Sequence, residues 1–170
     1  MRAITYTAFG TAEDVLTLTD QPDPEPAAGE VRVRLKASGV NPSDVKVRAG
    51  GRPGVTAPPF PTIIPHSDGA GIIDAVGAGV DPARIGERVW VWNGQWNRAF
   101  GTAAELITLP AEQAVPLPDA VSFTHGATLG IPGITATHAV LGGGPVTGQT
   151  VLISGGAGTV GHLAIQVAAQ

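Results

Sequence analysis

The chain of 170 residues predicts a mainly β domain, a small barrel or sandwich, followed by the opening strand and helix of an incomplete α/β domain. Three observations carry that reading. The first hundred or so residues break into short strands separated by Gly- and Pro-rich turns. Within them, Val31, Val33 and Leu35 alternate with Arg32, Arg34 and Lys36, a period of two that leaves one dry face and one wet face. The 10 Lys and Arg and the 14 Asp and Glu all lie between Arg2 and Asp119, so from Ala120 to Gln170 only His125, His138 and His162 can carry charge. Residues 1–120 are therefore read as the β domain and 121–170 as the start of the second.

Composition excludes several classes. Hydrophobic content of 43% with 14% charged residues excludes general disorder. A net charge of −4, a pI near 5.4 and no basic run argue against nucleic acid as the main partner. With no Cys there are no disulfides, thiolate zinc sites, iron–sulfur clusters or thiol nucleophiles, and a reducing, cytoplasmic setting fits. The uncharged tail falls short of the roughly 18 continuous apolar residues that a membrane span needs. Pro132, Gly142–Pro145 and Gly155–Gly156 interrupt it, so it reads as the interior of a larger domain, off the membrane. Met1–Tyr6 is followed by no apolar signal segment.

In chain order, Arg2–Ala8 and Val15–Thr19 are strands, Gln21–Ala28 is a proline-rich acidic loop, and Gly29–Val40 is the clearest strand. Asn41-Pro42-Ser43-Asp44 reads as a helix start, with proline in the first turn and an acid behind it, and Gly50-Gly51 ends that helix. Arg52–Pro65 reads as an exposed loop. Ala70–Val76, Arg88–Asn93 and Ala103–Leu109 are further strands. Ser122 caps a short helix, Pro132–Leu141 is a second, Thr150–Ser154 a buried strand, and Thr159 onward a helix with Val160, Leu163, Ala164 and Val167 on one face.

The loop between that strand and that helix carries the strongest motif. Gly155-Gly156-Ala157-Gly158-Thr159-Val160-Gly161 contains G-x-G-x-x-G from Gly156 and G-x-x-G-x-x-G from Gly155. The first glycine permits a tight strand-to-helix turn, the second lets backbone N–H groups approach a pyrophosphate, and the third lets helix and strand pack closely. The helix N-terminus then offers free N–H groups and partial positive charge to a dinucleotide. The residue that reads the ribose 2′ position would lie about 20 positions on, past Gln170, so NAD and NADP are not separated by this sequence.

With those residues in hand, the whole chain resembles the N-terminal half of a zinc-independent medium-chain dehydrogenase/reductase, in the NADPH:quinone oxidoreductase branch that includes ζ-crystallin. The matching stretches are Gly29–Val31, Ala37–Asp44, Ser67–Gly71, Gly86–Val89, Gly130–Ala136 and the glycine loop. The resemblance implies a GroES-like β-barrel followed by the first β-α unit of a truncated Rossmann domain. It implies NADPH as cofactor, a quinone or activated C=C or C=O acceptor, and a homodimer in the full-length protein. In the zinc-dependent branch the catalytic ligands would fall at Asn41, Ser67 and Ile131, none of which is a thiolate or imidazole, so no metal is expected.

The same resemblance assigns roles. Asn41 lies by the nicotinamide and the substrate oxygen, with Asp44 and Ser67 in the same pocket. Asp44 serves equally well as support for a helix start, and Ser67 as a buried hydroxyl. Thr135 matches a threonine near the nicotinamide carboxamide, and Gly155, Gly156, Gly158, Thr159, Val160 and Gly161 form the pyrophosphate cradle. Lys46 and Arg52 stand where many quinone reductases have tyrosines, which opens an anionic or phosphate contact. His66 stands where glycine is usual and is either a proton donor or a loop histidine. Trp92 and Trp96 form an apolar wall for a flat ring or cap the barrel. An enoyl-thioester reductase and a non-catalytic GroES-like binding module are the competing readings. The chain alone is expected to be inactive, with exposed apolar surface on 150–154 and the last helix.

Overall fold

The structure is a computed structural model that describes residues 1–51 and 53–170. The expected β domain is present as an open sheet with an attached ribbon. Strands β1 (Arg2–Thr5) and β2 (Thr17–Asp20), joined across the short helix α1 (Ala12–Val15), form the ribbon. Strands β3 (Glu30–Gly39), β4 (Asp68–Val76), β5 (Arg88–Val91), β6 (Leu106–Pro110) and β7 (Ala114–Pro116) form an antiparallel sheet in the order β6-β3-β4-β5-β7. Helix α2 (Pro42–Arg48) follows β3 directly. No ladder joins β6 to β7 among the described residues, so the expected barrel is not closed.

The sheet is nonetheless strongly curled, and chain length dictates it. Only the 3₁₀ turn Ala111–Gln113 separates β6 from β7, which occupy opposite edges. Four Cα steps reach roughly 14 Å at full extension. A flat five-stranded sheet would hold its edges about 19 Å apart. The edges must therefore approach one another, and β3 accommodates the bend with register shifts at Arg32/Val33 and Leu35/Ala37. Pro110 and Pro116, lacking N–H donors, sit on the two edge strands.

The period-two pattern is realised as read. Val31, Val33, Ile73, Val89, Val91, Ile107 and Leu109 interlock in the concave face of the sheet. On the other face Asp74 binds Arg32 Nε at 2.8 Å and Arg34 Nη2 at 2.7 Å, linking β3 to β4. The end of the Arg52–Pro65 segment departs from its reading as an exposed loop: Ile63 and Ile64 are fully buried. Isolated bridges explain why. Ile63 pairs with Tyr6 and Ile64 with Phe100, which ties the ribbon to the sheet and carries both isoleucines into the core.

After Pro118 the chain turns helical. Ser122 caps α3 (Phe123–Gly126) by accepting the His125 N–H at 3.2 Å. A kinked turn, Leu129–Gly133, contains Pro132 and breaks at Gly130 (φ −61°, ψ −105°). The helix read from Pro132 thus starts at Ile134, and α4 runs Ile134–Leu141. Helix α5 (Thr159–Ala168) packs on α4. The strand read at Thr150–Ser154 does not form; the segment has no ladder partner among the described residues, and Leu152 is 96% exposed. Apolar sequence alone cannot make a strand whose N–H and C=O groups meet no neighbour. The exposed apolar surface expected there is present at Val151, Leu152, Val160 and Ile165, so the uncharged tail is less buried than its composition suggests. No described helix is long and apolar enough to cross a membrane.

Replacing Ile64 by Ala should cost about 2–5 kcal/mol in urea unfolding of the chain. Val55→Ala, on an exposed position of the same segment, should stay within about 0.5 kcal/mol. Equal effects would contradict the described burial.

Candidate functional site

A cleft of about 770 Å³ lies where the end of β3 and the start of α2 face the helical segment. Gly39, Val40, Asn41, Pro42 and Asp68 form one wall; Ile131, Pro132 and the residues 151–155 and 158–161 contribute the other. Asn41 is the N-cap of α2 and is buried. Its backbone N–H donates to Asp44 Oδ2 at 2.7 Å, one half of a capping box. Its side-chain Nδ2 donates to Asp68 Oδ2 at 2.8 Å. Facing a carboxylate, the amide must present its NH₂ group, so the rotamer is chemically determined. The Asn41 side chain also interacts with the Asp44 carboxylate, and Asn41 lines the cleft.

Asp68 was not singled out from the sequence, yet it is 1% exposed and lies at the centre of this wall. The Ile131 N–H donates to both of its oxygens, at 3.0 and 2.9 Å. The carboxylate therefore joins the first residue of β4 to α2 and to the kinked turn. A Cβ on Gly130 would collide with it, which accounts for glycine at the kink. The available signal was an acid opening an otherwise apolar strand, a position where a carboxylate is costly unless paired. Burial pushes the Asp68 carboxyl above its ordinary range, and the hydrogen bonds from Asn41 and Ile131 oppose that shift. Burial likewise raises Asp44, opposed by the Asn41 N–H.

The glycine loop forms the other wall. Gly155 has φ +71°, the left-handed region that favours glycine, so the motif is built on Gly155, Gly158 and Gly161. Gly158 is the N-cap of α5 and has no side chain to satisfy the helix's first N–H groups. A Cβ on Gly161 would collide with the Gly155 carbonyl, so the third glycine permits the close approach that the motif requires. Gly155, Gly158, Thr159, Val160 and Gly161 all line the cleft, whereas Gly156 does not and instead meets Ile165. A left-handed turn, free amides and a cradle with no room for side chains fit a pyrophosphate.

His66 belongs to a different chain of contacts. Its φ of +76° lies in the left-handed region that favours glycine. Thr102 Oγ1 donates to the Asp68 carbonyl at 2.6 Å. Thr102 Oγ1 must then accept from Ser38 Oγ, 2.9 Å away, and Ser38 Oγ must accept from His66 Nδ1 at 3.0 Å. His66 is thereby held with its proton on Nδ1. Burial pushes its pKa down and the charge on Asp44 pulls it partly back. A neutral His66 in this tautomer has no proton to give from Nε2. It lines a separate groove with Ser38 and Thr102.

The remaining sequence-derived residues are dispersed. Thr135 is exposed and lines a smaller cavity of about 240 Å³ with Trp92, Asn93 and Ile131, adjoining the main cleft through Ile131. Ser67 is half-buried beside Asp68, and its carbonyl accepts the Gly94 N–H at 2.8 Å. Lys46 is exposed on α2, and Trp96 is 62% exposed at a loop tip. Arg52 lies outside the described residues. At the three zinc-ligand positions of the metal-dependent branch stand an amide committed to Asp68, a hydroxyl and an aliphatic side chain. That donor set does not fit catalytic zinc.

A curled antiparallel sheet thus presents one rim to a glycine-rich helix end across the cleft. The family model of the alcohol dehydrogenase GroES-like domain matches residues 27–119. The chain belongs to this family. Quinone oxidoreductase from Rattus norvegicus is 35% identical over 169 residues, covering 99% of this chain and 49% of the relative. An alcohol dehydrogenase superfamily protein from Novosphingobium aromaticivorans superposes with a TM-score of 0.85 at 36% identity, covering 98% of this chain and 50% of that one. A mycobacterial structure complexed with NADPH gives 0.79 at 34% identity, covering 98% and 49%. The chain is thus similar to quinone oxidoreductases and alcohol dehydrogenase superfamily proteins over nearly its whole length. The chain spans about half the length of the curated relatives it matches.

The buried titratable groups have opposite signs with pH. A depressed His66 pKa means stability present above its ordinary value of 6.5 and lost on acidification as the folded group is forced to charge. The raised Asp44 and Asp68 values mean stability fully present below 3.8 and lost as pH rises through their folded values. His66→Asn, which tolerates positive φ, should remove the first effect and raise Asp44 a little further by taking away the neighbouring His66 charge. Between neutrality and about pH 5 the wild type should lose stability relative to this variant. Parallel curves in a pH series of urea titrations would rule out a buried neutral His66.

Proposed function

We propose that the chain is the N-terminal part of an NADPH-dependent oxidoreductase that reduces a quinone or an activated C=C or C=O acceptor without a metal. One observation carries the reading. The Asn41 amide and the uncapped N-terminus of α5 line the same cleft, so an acceptor oxygen and a pyrophosphate can be held by one site. The quinone oxidoreductase relatives and the NADPH-bound mycobacterial neighbour support it.

The backbone N–H groups of Thr159, Val160 and Gly161 would hold the pyrophosphate, helped by the helix dipole. Bound there, the nicotinamide coenzyme supplies the hydride. The Asn41 amide donates to the acceptor oxygen, on which negative charge develops as the acceptor is reduced. A preorganised donor at that position stabilises the transition state more than the ground state. Water supplies the proton that completes the reduced oxygen, because His66 holds its own proton on Nδ1 against Ser38. Zinc has no part in this scheme, since no residue set at the cleft would ligate it.

The full-length protein should oxidise NADPH with a benzoquinone as acceptor and act poorly on a crotonyl thioester. The reverse preference would favour an enoyl-thioester reductase, and no turnover of either would favour a binding module. The chain of 170 residues alone should leave NADPH unconsumed, because a complete dinucleotide site needs further strands for the adenine half.

Two variants separate the walls of the cleft. Asn41→Ala should lower kcat on the quinone about tenfold to a hundredfold with little change in the KM for NADPH. Gly161→Val should raise the KM for NADPH instead, because its side chain would push the helix from the loop. Identical kinetic defects from both would contradict this division of labour.

A further inference from the structure

We propose that Asp68 is the positioning residue of the site: its carboxylate orients the Asn41 amide toward the cleft and, through the Ile131 N–H, locks the kinked turn that forms the opposite wall. This deepens the oxidoreductase reading and rests on it for the catalytic consequence. The orientation itself rests only on the geometry.

Asp68 lies inside the sheet wall with 1% of its surface exposed, so solvent does not compete for its oxygens. One oxygen, Oδ2, accepts from Asn41 Nδ2 at 2.8 Å. The Ile131 N–H lies 2.9 Å from Oδ2 and 3.0 Å from Oδ1, shared between the two. Every partner of this group is therefore a donor, and the site needs an acceptor on both atoms. A carboxyl group supplies acceptors on both atoms. An amide at position 68 cannot substitute. Whichever way it is turned, its NH₂ group would sit about 3 Å from the Ile131 N–H, donor against donor. In one of its two orientations it would also force Asn41 to flip and show its carbonyl. Asp68 thus sets which end of the Asn41 side chain is turned toward it.

The opposite wall depends on the same atoms. Gly130 carries the non-helical ψ of −105° that turns the Ile131 N–H toward Asp68, and a side chain at 130 would strike the carboxylate. Ile131 and Pro132 line the cleft directly after that turn. A single buried side chain consequently spans both walls, holding the substrate-side donor on one and the approach to α4 on the other.

Two readouts test the proposal. The first needs no turnover: the side-chain NH₂ resonances of Asn41 in a nitrogen–proton correlation spectrum. In the wild type one of the two protons should be shifted downfield by the carboxylate hydrogen bond, and Asp68→Asn should move the pair while most backbone amides away from Asn41 and Ile131 stay in place. Unmoved Asn41 resonances in a folded Asp68→Asn variant would overturn the proposal. Should Asp68→Asn fail to fold, Gly130→Ala provides the second route, since it displaces the same carboxylate from the other side and should move the same resonances.

The second readout is a double-mutant cycle on kcat in the full-length protein. Asp68→Asn and Asn41→Ala should each lower kcat at least tenfold, and the double variant should be no slower than the slower single. That non-additivity is the signature of a residue acting through another. Additive losses, or a kcat per folded molecule unchanged by Asp68→Asn, would make Asp68 merely structural and overturn the proposal. If the wild type reduces no acceptor, the oxidoreductase reading fails on its own, and the Asn41 resonances still decide the orientation.

Discussion

A carboxylate withdrawn from water must be surrounded by donors, and Asp68 imposes that demand on three separate pieces of the chain. It opens β4, yet its partners come from the N-cap of α2 and from the turn before α4. An isolated buried charge is too costly to persist. The end of β3, the first turn of α2 and the kink at Gly130 therefore have to converge on it. Gly39 at the end of β3 and Gly130 at the kink both leave out a Cβ that would collide with this neighbourhood. The cleft is the space left between elements that this convergence holds apart.

A second constraint is the length of the link between β6 and β7. Three residues of 3₁₀ turn connect strands at opposite edges of a five-stranded sheet, which cannot be done across a flat surface. The curl follows, and with it the concave core of valines and isoleucines. Curling also presents one rim of the sheet, Gly39 to Asn41 with Asp68, to the helical segment. The same physical feature thus organises the core and aims the site residues. The ribbon β1–β2 is attached to this body by the bridges Ala3–Ala104 and Tyr6–Ile63 and by the Arg2–Glu105 pair rather than by a strand ladder among the described residues.

The glycine loop and the cleft show how local and non-local requirements divide. Gly155, Gly158 and Gly161 were legible because each answers a local need: a left-handed turn, an uncapped helix end and a close approach within seven residues. The helix start at Asn41 to Asp44 was legible for the same reason, as these residues belong to one helical turn, and the structure adds the capping box. His66 stands at a positive φ, a backbone strain that the sequence reading did not anticipate. What its imidazole touches, Ser38 and through it Thr102, could not be read, because those positions are brought together by β3 pairing with β4 and by the loop before β6. Thr135 was placed by resemblance and Trp92 and Trp96 by their clustering near one strand, and the structure spreads them over another cavity and an exposed tip.

Periodicity, turn residues and the glycine motif by themselves determined the β character of the first 120 residues, the strand faces, the start of α2 and the glycine-rich turn before α5. All of these depend on interactions within a few residues along the chain. Tertiary structure alone decided that the barrel stays open, that Ile63 and Ile64 are core and that Thr150–Ser154 forms no strand. It also decided that Asp68 stands between Asn41 and Ile131. Strand pairing and the burial of a charge are satisfied by partners far away in sequence, and no local pattern records which partners those are.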